Sequence, residues 1–139
     1  SVETLKGRFG FLSPKKLYQA SSKAREQFSV KSTGVDQLMR ALSGGNKQKV
    51  NLGRWLIKDL DVLIVDCPTR GVDIGVKAYI YQCLREAKEK GMAILLITDE
   101  LSEVLGMADT IAVMKDGEIC KLLPRSAELS EETIIEVMT

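Results

Sequence analysis

The residues Leu42-Ser43-Gly44-Gly45-Asn46-Lys47-Gln48 have the types and order that suit phosphate binding. Two glycines opening a helix let a ligand come close to the backbone. The unpaired amides and the dipole of that helix start attract an anion, and Ser43 adds a hydroxyl donor. A glycine-rich helix entry without a ligand would look the same locally, so a second motif is needed. Downstream, Val62-Leu63-Ile64-Val65 runs straight into Asp66. In open parallel sheets ligands sit at the carboxyl ends of strands. A carboxylate there can hold Mg²⁺, usually through its water shell. Taken alone, Asp66 fits a receiver-type site or an ordinary strand-to-helix turn equally well.

The elements that must carry these residues are legible from periodicity. Ser13-Pro14 reads as a helix start, with serine at the cap and proline in the first turn. Leu17, Ala20, Ala24 and Phe28 follow at helical spacing. Residues 29–37 read as a loop, and 36–41 as a short helix or turn. A helix over about 44–58 is expected to bury Val50, Trp55 and Leu56 or Ile57. The strand 62–65 is apolar on both faces, which predicts cover on both sides, and Pro68 prevents its ladder from continuing. A helix over 75–90 places Val76, Ile80, Cys83 or Leu84, and Ala87 on one face, and Gly91 stops it. Strand Ala93–Thr98, a short acidic helix at 100–107 and strand Ile111–Met114 come next. Asp116-Gly117 is a tight-hairpin signal into Ile119–Leu122. Ser130, with Glu131 and Glu132, caps a last helix through Met138. Alternating strands and helices after residue 60 predict an α/β fold with a parallel sheet.

Composition narrows the chemistry. The chain has 139 residues, 45% hydrophobic and 28% charged, with a net charge of +1. That is globular composition at a length that suits one domain. Its longest apolar runs, Val62–Val65 and Met92–Ile97, are far short of the roughly 18 residues of a membrane span. Histidine is absent, which excludes every histidine triad, general base or metal cluster. Cys67, Cys83 and Cys120 are scattered and form no Cys-x-x-Cys, so a reduced setting fits better than a disulfide framework or a zinc site. The charge balance hides an asymmetry: residues 1–58 carry 12 basic and 3 acidic side chains, residues 59–139 carry 8 and 16. A basic surface can meet a phosphate-bearing partner or can simply be solvated.

With these residues in view, the chain resembles the ATP-binding subunits of ABC transporters over nearly its whole length. Leu42–Gln48 looks like the ABC signature, Val62–Asp66 like Walker B, and Thr69-Arg70-Gly71-Val72-Asp73 like the D-loop. Thr98-Asp99-Glu100 falls where the switch loop lies. The wording LSGGNKQKV, PTRGVDIG and LSEVLGMAD is similar to sugar importers of the ribose and galactose type, in which one chain carries two tandem ATPase domains. FGFLSPKKL, residues 9–17, and the closing stretch GEICKLLPRSAELSEETIIEVM resemble the second of those domains.

The resemblance implies a partial P-loop NTPase fold: a helical, signature-bearing subdomain over 1–58, then the carboxyl-terminal part of the ATPase core over 59–139. It implies ATP and Mg²⁺ as cofactors, with Ser43, Gly44, Gly45, Gln48 and Asp73 on the nucleotide side and Asp66 serving the metal. ATP would lie between the Walker motifs of one domain and the signature of the other. Implied partners are a second ATPase domain and membrane permease subunits, at the cytoplasmic face of the membrane; no nucleic-acid partner is expected. A non-hydrolysing nucleotide-sensing module, or a soluble ABC protein acting on ribosome or DNA, is the alternative.

Three departures from the pattern shape the expectation. No Gly-x-x-x-x-Gly-Lys-[Ser/Thr] occurs, so the lysine and backbone cradle that grip the β- and γ-phosphates are missing. The chain is therefore expected not to hydrolyse ATP alone. Cys67 stands where the family places its catalytic glutamate; a thiol of pKa about 8.5 is mostly neutral at pH 7. Losing a general base typically slows a reaction by about 10²–10⁴-fold, while Cys67 also suits simple packing beneath the strand end. Asp99 stands at the switch-histidine position, where its charge would repel a γ-phosphate, or where it would cap a helix. The family's Walker A strand lies between two strands like Ala93–Ile97 and Ile111–Met114. Without it, two sheet edges are left exposed or the gap closes, and the chain is expected to self-associate.

Overall fold

The computed structural model describes residues 13–138. Its elements in chain order are α1 (Pro14–Gln27), α2 (Gly44–Leu56), β1 (Val62–Asp66), α3 (Ile74–Glu89), β2 (Ala93–Ile97), α4 (Leu101–Met107), β3 (Thr110–Lys115), β4 (Glu118–Pro124) and α5 (Glu131–Met138), with a single 3₁₀ turn at Met39–Ala41. The expected order of helices and strands is therefore present. Residues 9–12 of FGFLSPKKL lie outside the described residues.

Helix boundaries follow local chemistry. Pro14 occupies the first turn of α1, and Ser13 is its cap residue but makes no side-chain cap bond. The helix ends with Ser29 at φ +48°. There the amide of Val30 donates to Arg25 O at 2.9 Å and that of Ser29 to Glu26 O at 3.0 Å, the paired closure of a Schellman ending. Gly91, at φ +95°, closes α3 the same way: Met92 N donates to Ala87 O at 3.2 Å and Gly91 N to Lys88 O at 2.8 Å. Ser130 Oγ accepts from Thr133 N at 3.4 Å at the start of α5.

Among the described residues the chain divides into two compact units, residues 13–63 with 68–94, and residues 64–67 with 95–138. In the first, Phe28, Leu42, Leu52, Leu63, Ile80, Leu84 and Ala87 are buried. The face of α3 read from periodicity is the one that is buried. The buried face of α2 meets expectation only in part: Val50 and Leu56 are half-buried. Leu52 and Gly53 are inside, whereas Trp55 is 38% and Ile57 47% exposed. The reason is steric: a Cβ on Gly53 would lie 2.7 Å from Cδ2 of Phe28, so the ring seats against bare backbone and fixes which side of α2 faces in. Trp55 instead lies outside under two cations, Lys58 Nζ at 4.3 Å and the Arg54 guanidinium at 4.9 Å from its ring centre.

The core of the second unit is Ile111, Val113 and Ile134, packed by Leu101, Val104, Leu105, Leu123 and Val137. β3 and β4 form an antiparallel hairpin. Its turn residues Asp116 and Gly117 have φ of +52° and +84°, as a type I′ connection requires. Register passes from Val113↔Lys121 to Met114↔Ile119, so Cys120 is the extra residue of a bulge.

β1 and β2 pair with each other. Ala93 N donates to Asp61 O at 2.9 Å and Cys67 N to Ile97 O at 2.8 Å. Both strands advance together along these bonds, so the pair is parallel. Among the described residues this ladder does not continue into the hairpin; the two are separate two-stranded sheets. The expected cover on both faces of β1 is also absent there. Leu63 is buried, but Val62 and Ile64 are 60% and 63% exposed.

Candidate functional site

In the first unit, the sequence 42–48 builds the start of α2. Ser43 is the cap residue, its Oγ accepting from the amide of Asn46. The Asn46 Nδ2 also donates to Ser43 Oγ, at 2.8 Å, and Lys47 N donates to Ser43 O at 2.9 Å. The amides of Asn46 and Lys47 are thus taken by Ser43. Those of Gly44 and Gly45 begin the helix, where backbone donors have no carbonyl of their own turn to meet. Nothing lies within 4 Å of the point where a Gly44 Cβ would stand. The neighbouring Gly45 differs: its Cβ would lie 2.6 Å from Cγ2 of Val76 on α3. Open space at Gly44 is what close approach of an anion needs, and the close packing at Gly45 has a local cause.

Gln48, Lys49 and Asp73 complete this region. Gln48 Nε2 donates to the carbonyl of Pro68 at 2.6 Å. Lys49 Nζ donates to Ser29 O at 3.2 Å and lies 4.2 Å from the ring centre of Tyr79. Asp73 caps α3, its Oδ1 accepting from Val76 N at 3.0 Å. On α3, burial pushes the Tyr79 phenol up, assisted by its hydrogen bond with Cys83. Burial likewise pushes up the Cys83 thiol.

Asn46 was not among the residues singled out from sequence. Besides binding Ser43, its Oδ1 accepts from Lys31 N at 2.8 Å and so ties the 29–37 loop to the start of α2. A polar side chain three positions after a capping serine is the signal that reveals it. Val76 and the Pro68 carbonyl carry no such signal, since each matters only through a contact across the fold.

In the second unit, Asp66 is the last residue of β1 and is exposed. Cys67 follows at φ +42° and is half-buried. Its backbone bond to Ile97 puts Asp66 and Cys67 at the same end of the parallel pair as Thr98 and Asp99. Asp99 is not the helix cap. The cap residue of α4 is Glu100, and Thr98 Oγ1 accepts from its amide at 3.1 Å. The threonine hydroxyl reaches that amide from two residues before it, which leaves the exposed Asp99 outside the helix start.

The residues fit the implied cofactors unequally. The start of α2, with its capped serine and open Gly44, suits a phosphate. For Mg²⁺, no group of three or more His, Cys, Asp or Glu that could hold a metal occurs among the described residues. Asp66 alone does not make a metal centre.

The arrangement matches known cassettes. The chain superposes on an ATP-binding cassette of an ABC transporter in its ADP conformation with a TM-score of 0.69 at 26% identity, covering 92% of this chain and 56% of that one. Its fold is part of an ABC ATPase cassette. A metal-chelate type ABC transporter in an inward-facing conformation shares the fold, with a TM-score of 0.75 at 18% identity, 97% of this chain and 53% of that one. By sequence, the chain is homologous over most of its length to sugar-import ATP-binding proteins. It is 46% identical to a ribose import ATP-binding protein of Lactococcus lactis, over 82% of this chain and 23% of that protein. It is 39% identical to a ribose/galactose/methyl galactoside import ATP-binding protein of Geobacillus kaustophilus, over 94% and 26%. The segment thus spans about a quarter of the length of the curated relatives it matches. No family model matches the chain.

Proposed function

We propose that this segment belongs to the ATP-binding subunit of an importer of a simple sugar or similar solute, and that it lends its signature to an ATP molecule held by a second ATPase domain. Residues 1–58 act as the signature-bearing helical subdomain and 59–139 as part of the ATPase core. Ser43, Gly44 and Gly45 meet the γ-phosphate, with Gln48 of the same motif behind them. Asp66 is the exposed carboxylate at the strand end of this domain's own site, and Asp73 faces the partner domain. The subunit sits at the cytoplasmic face of the membrane against permease subunits. Among the described residues, no helix is long and apolar enough to cross a membrane.

The observation that carries this reading is the start of α2: Ser43 caps it, and Gly44 faces open space. The domain's own site is degenerate. Cys67 stands where a carboxylate base would be needed, and a thiol that is mostly neutral at pH 7 is a poor substitute for one. The test is ATP turnover by the two-domain subunit carrying this segment, reconstituted with its permease. Gly44→Asp, which puts a carboxylate where the phosphate approaches, is expected to lower turnover by about 10²–10³-fold, the scale of losing one preorganised transition-state donor. Cys67→Glu is expected to leave it unchanged. A large rise with Cys67→Glu would show instead that this domain's own site is built for hydrolysis.

A further inference from the structure

Gly45, Gln48, Lys49 and Leu52 recur at helical spacing along one side of α2. Three of them reach the stretch that joins β1 to α3 and the first turns of α3. Gly45 lies under Val76 so closely that a Cβ would stand 2.6 Å from its Cγ2. Lys49 places its ammonium 4.2 Å over Tyr79. Gln48 donates to the carbonyl of Pro68 at 2.6 Å. Pro68 and Thr69 are both buried. The stretch then turns through Gly71 at φ +72° and reaches Asp73, which caps α3.

We infer that Gln48 is a positioning residue whose carboxamide holds the Pro68–Asp73 turn against the start of α2, so that the phosphate-facing end of α2 and the Asp73 turn are set as one piece. Two packing contacts, Gly45 on Val76 and Lys49 on Tyr79, align the helices, but neither reaches the turn itself. The Gln48 bond does, and it is the directional one. Pro68 is buried, and burial makes an unmet carbonyl unfavourable. The consequence for ATP rests on the signature reading above, whereas the hydrogen bond does not. Any displacement of α2 on meeting a phosphate is passed to the Asp73 turn without passing through a strand.

The test is hydrogen exchange and NMR on the 139-residue chain without nucleotide, so that failure of the importer reading cannot affect it. In the wild type, a Gln48 side-chain amide proton is expected to be protected from exchange; a freely exchanging one would overturn the inference. Gln48→Met keeps shape and loses the donor, and Gln48→Glu sets an acceptor against an acceptor. Both are expected to speed exchange of amides 69–76 by about 2- to 10-fold, the range given by a net hydrogen-bond contribution. Amides 110–124 in the hairpin should be unchanged. Gln48→Lys restores a donor and is expected to return 69–76 toward the wild-type rate. Uniform acceleration throughout the chain, or no rescue by lysine, would mean that Gln48 is ordinary packing.

Discussion

Gly44 and Gly45 are adjacent in the same motif, yet the fold gives only one of them a reason to be glycine. A methyl on Gly45 would drive into Val76 Cγ2. Gly45→Ala is therefore expected to destabilise by about 1–3 kcal/mol, the usual effect of overpacking. Shortening the neighbour in Gly45→Ala/Val76→Ala should recover part of that loss in urea melts. Gly44→Ala meets open space and gains helix propensity of up to about 1 kcal/mol, so it should not lower the urea midpoint. Stability does not require glycine at position 44, and approach of a ligand to the backbone does. The same scale carries a pH prediction. Burial raises the pKa of both Tyr79 and Cys83 above their unfolded values of 10.0 and 9.0. The folded chain then keeps protons that the unfolded chain releases. Their contribution to stability is complete below about pH 9 and is lost as pH rises beyond it. Melting temperatures between pH 8 and 11 should fall, and Tyr79→Phe/Cys83→Ala should flatten the fall.

Helix endings show how chain chemistry and fold agree at the level of elements. α1 and α3 close with the same bond pattern, but α1 places Ser29 and α3 places Gly91 in the left-handed position. A side chain is strained there and glycine is not. Ser29→Gly is expected to stabilise by about 0.5 kcal/mol and Gly91→Ala to destabilise by about 1 kcal/mol or more. Nothing lies within 4 Å of a Gly91 Cβ, so its loss would be a backbone effect alone. Both are read from thermal or urea midpoints. Gly91 was legible in the sequence because glycine after an amphipathic run is a stop signal; Ser29 was not, since serine has no such preference. The Ser43 cap of α2, α3's buried face and the Asp116-Gly117 turn were legible for the same reason: each shows in the pattern of nearby residues. The inward face of α2 was not. Trp55 suggested a buried anchor, but the absence of a side chain at Gly53 let Phe28 in, and that contact joins residues far apart in the chain. The Gln48–Pro68 bond lay hidden likewise, because a carboxamide's partner cannot be read from its own segment.

At the scale of the whole molecule, the sheet decides behaviour in solution. The outward side of the parallel pair carries Ile64, Leu95 and Ile97, exposed by 63%, 53% and 48%. The hairpin adds exposed Met114, Ile119 and Leu122. β2 pairs only with β1, and β3 only with β4, among the described residues. An open strand edge next to an apolar face is a template for another chain, because it offers unpaired backbone donors and acceptors together with surface that water solvates poorly. The superposed cassettes are nearly twice as long as the part this chain matches, so a complete cassette has further chain with which to satisfy such edges. The 139-residue chain on its own is expected to self-associate through this face. Sedimentation velocity at rising concentration should show dimers or larger species at micromolar levels. Leu95→Lys/Ile97→Lys places two charges on the exposed face and should shift the distribution to monomer, with circular dichroism unchanged because neither side chain is in the core. A hairpin change, Leu122→Lys, separates the two surfaces: if it alone restores the monomer, association runs through β3–β4 and not through the parallel pair. A wild-type chain that stays monomeric across the whole range would mean that the strand gap does not recruit a partner.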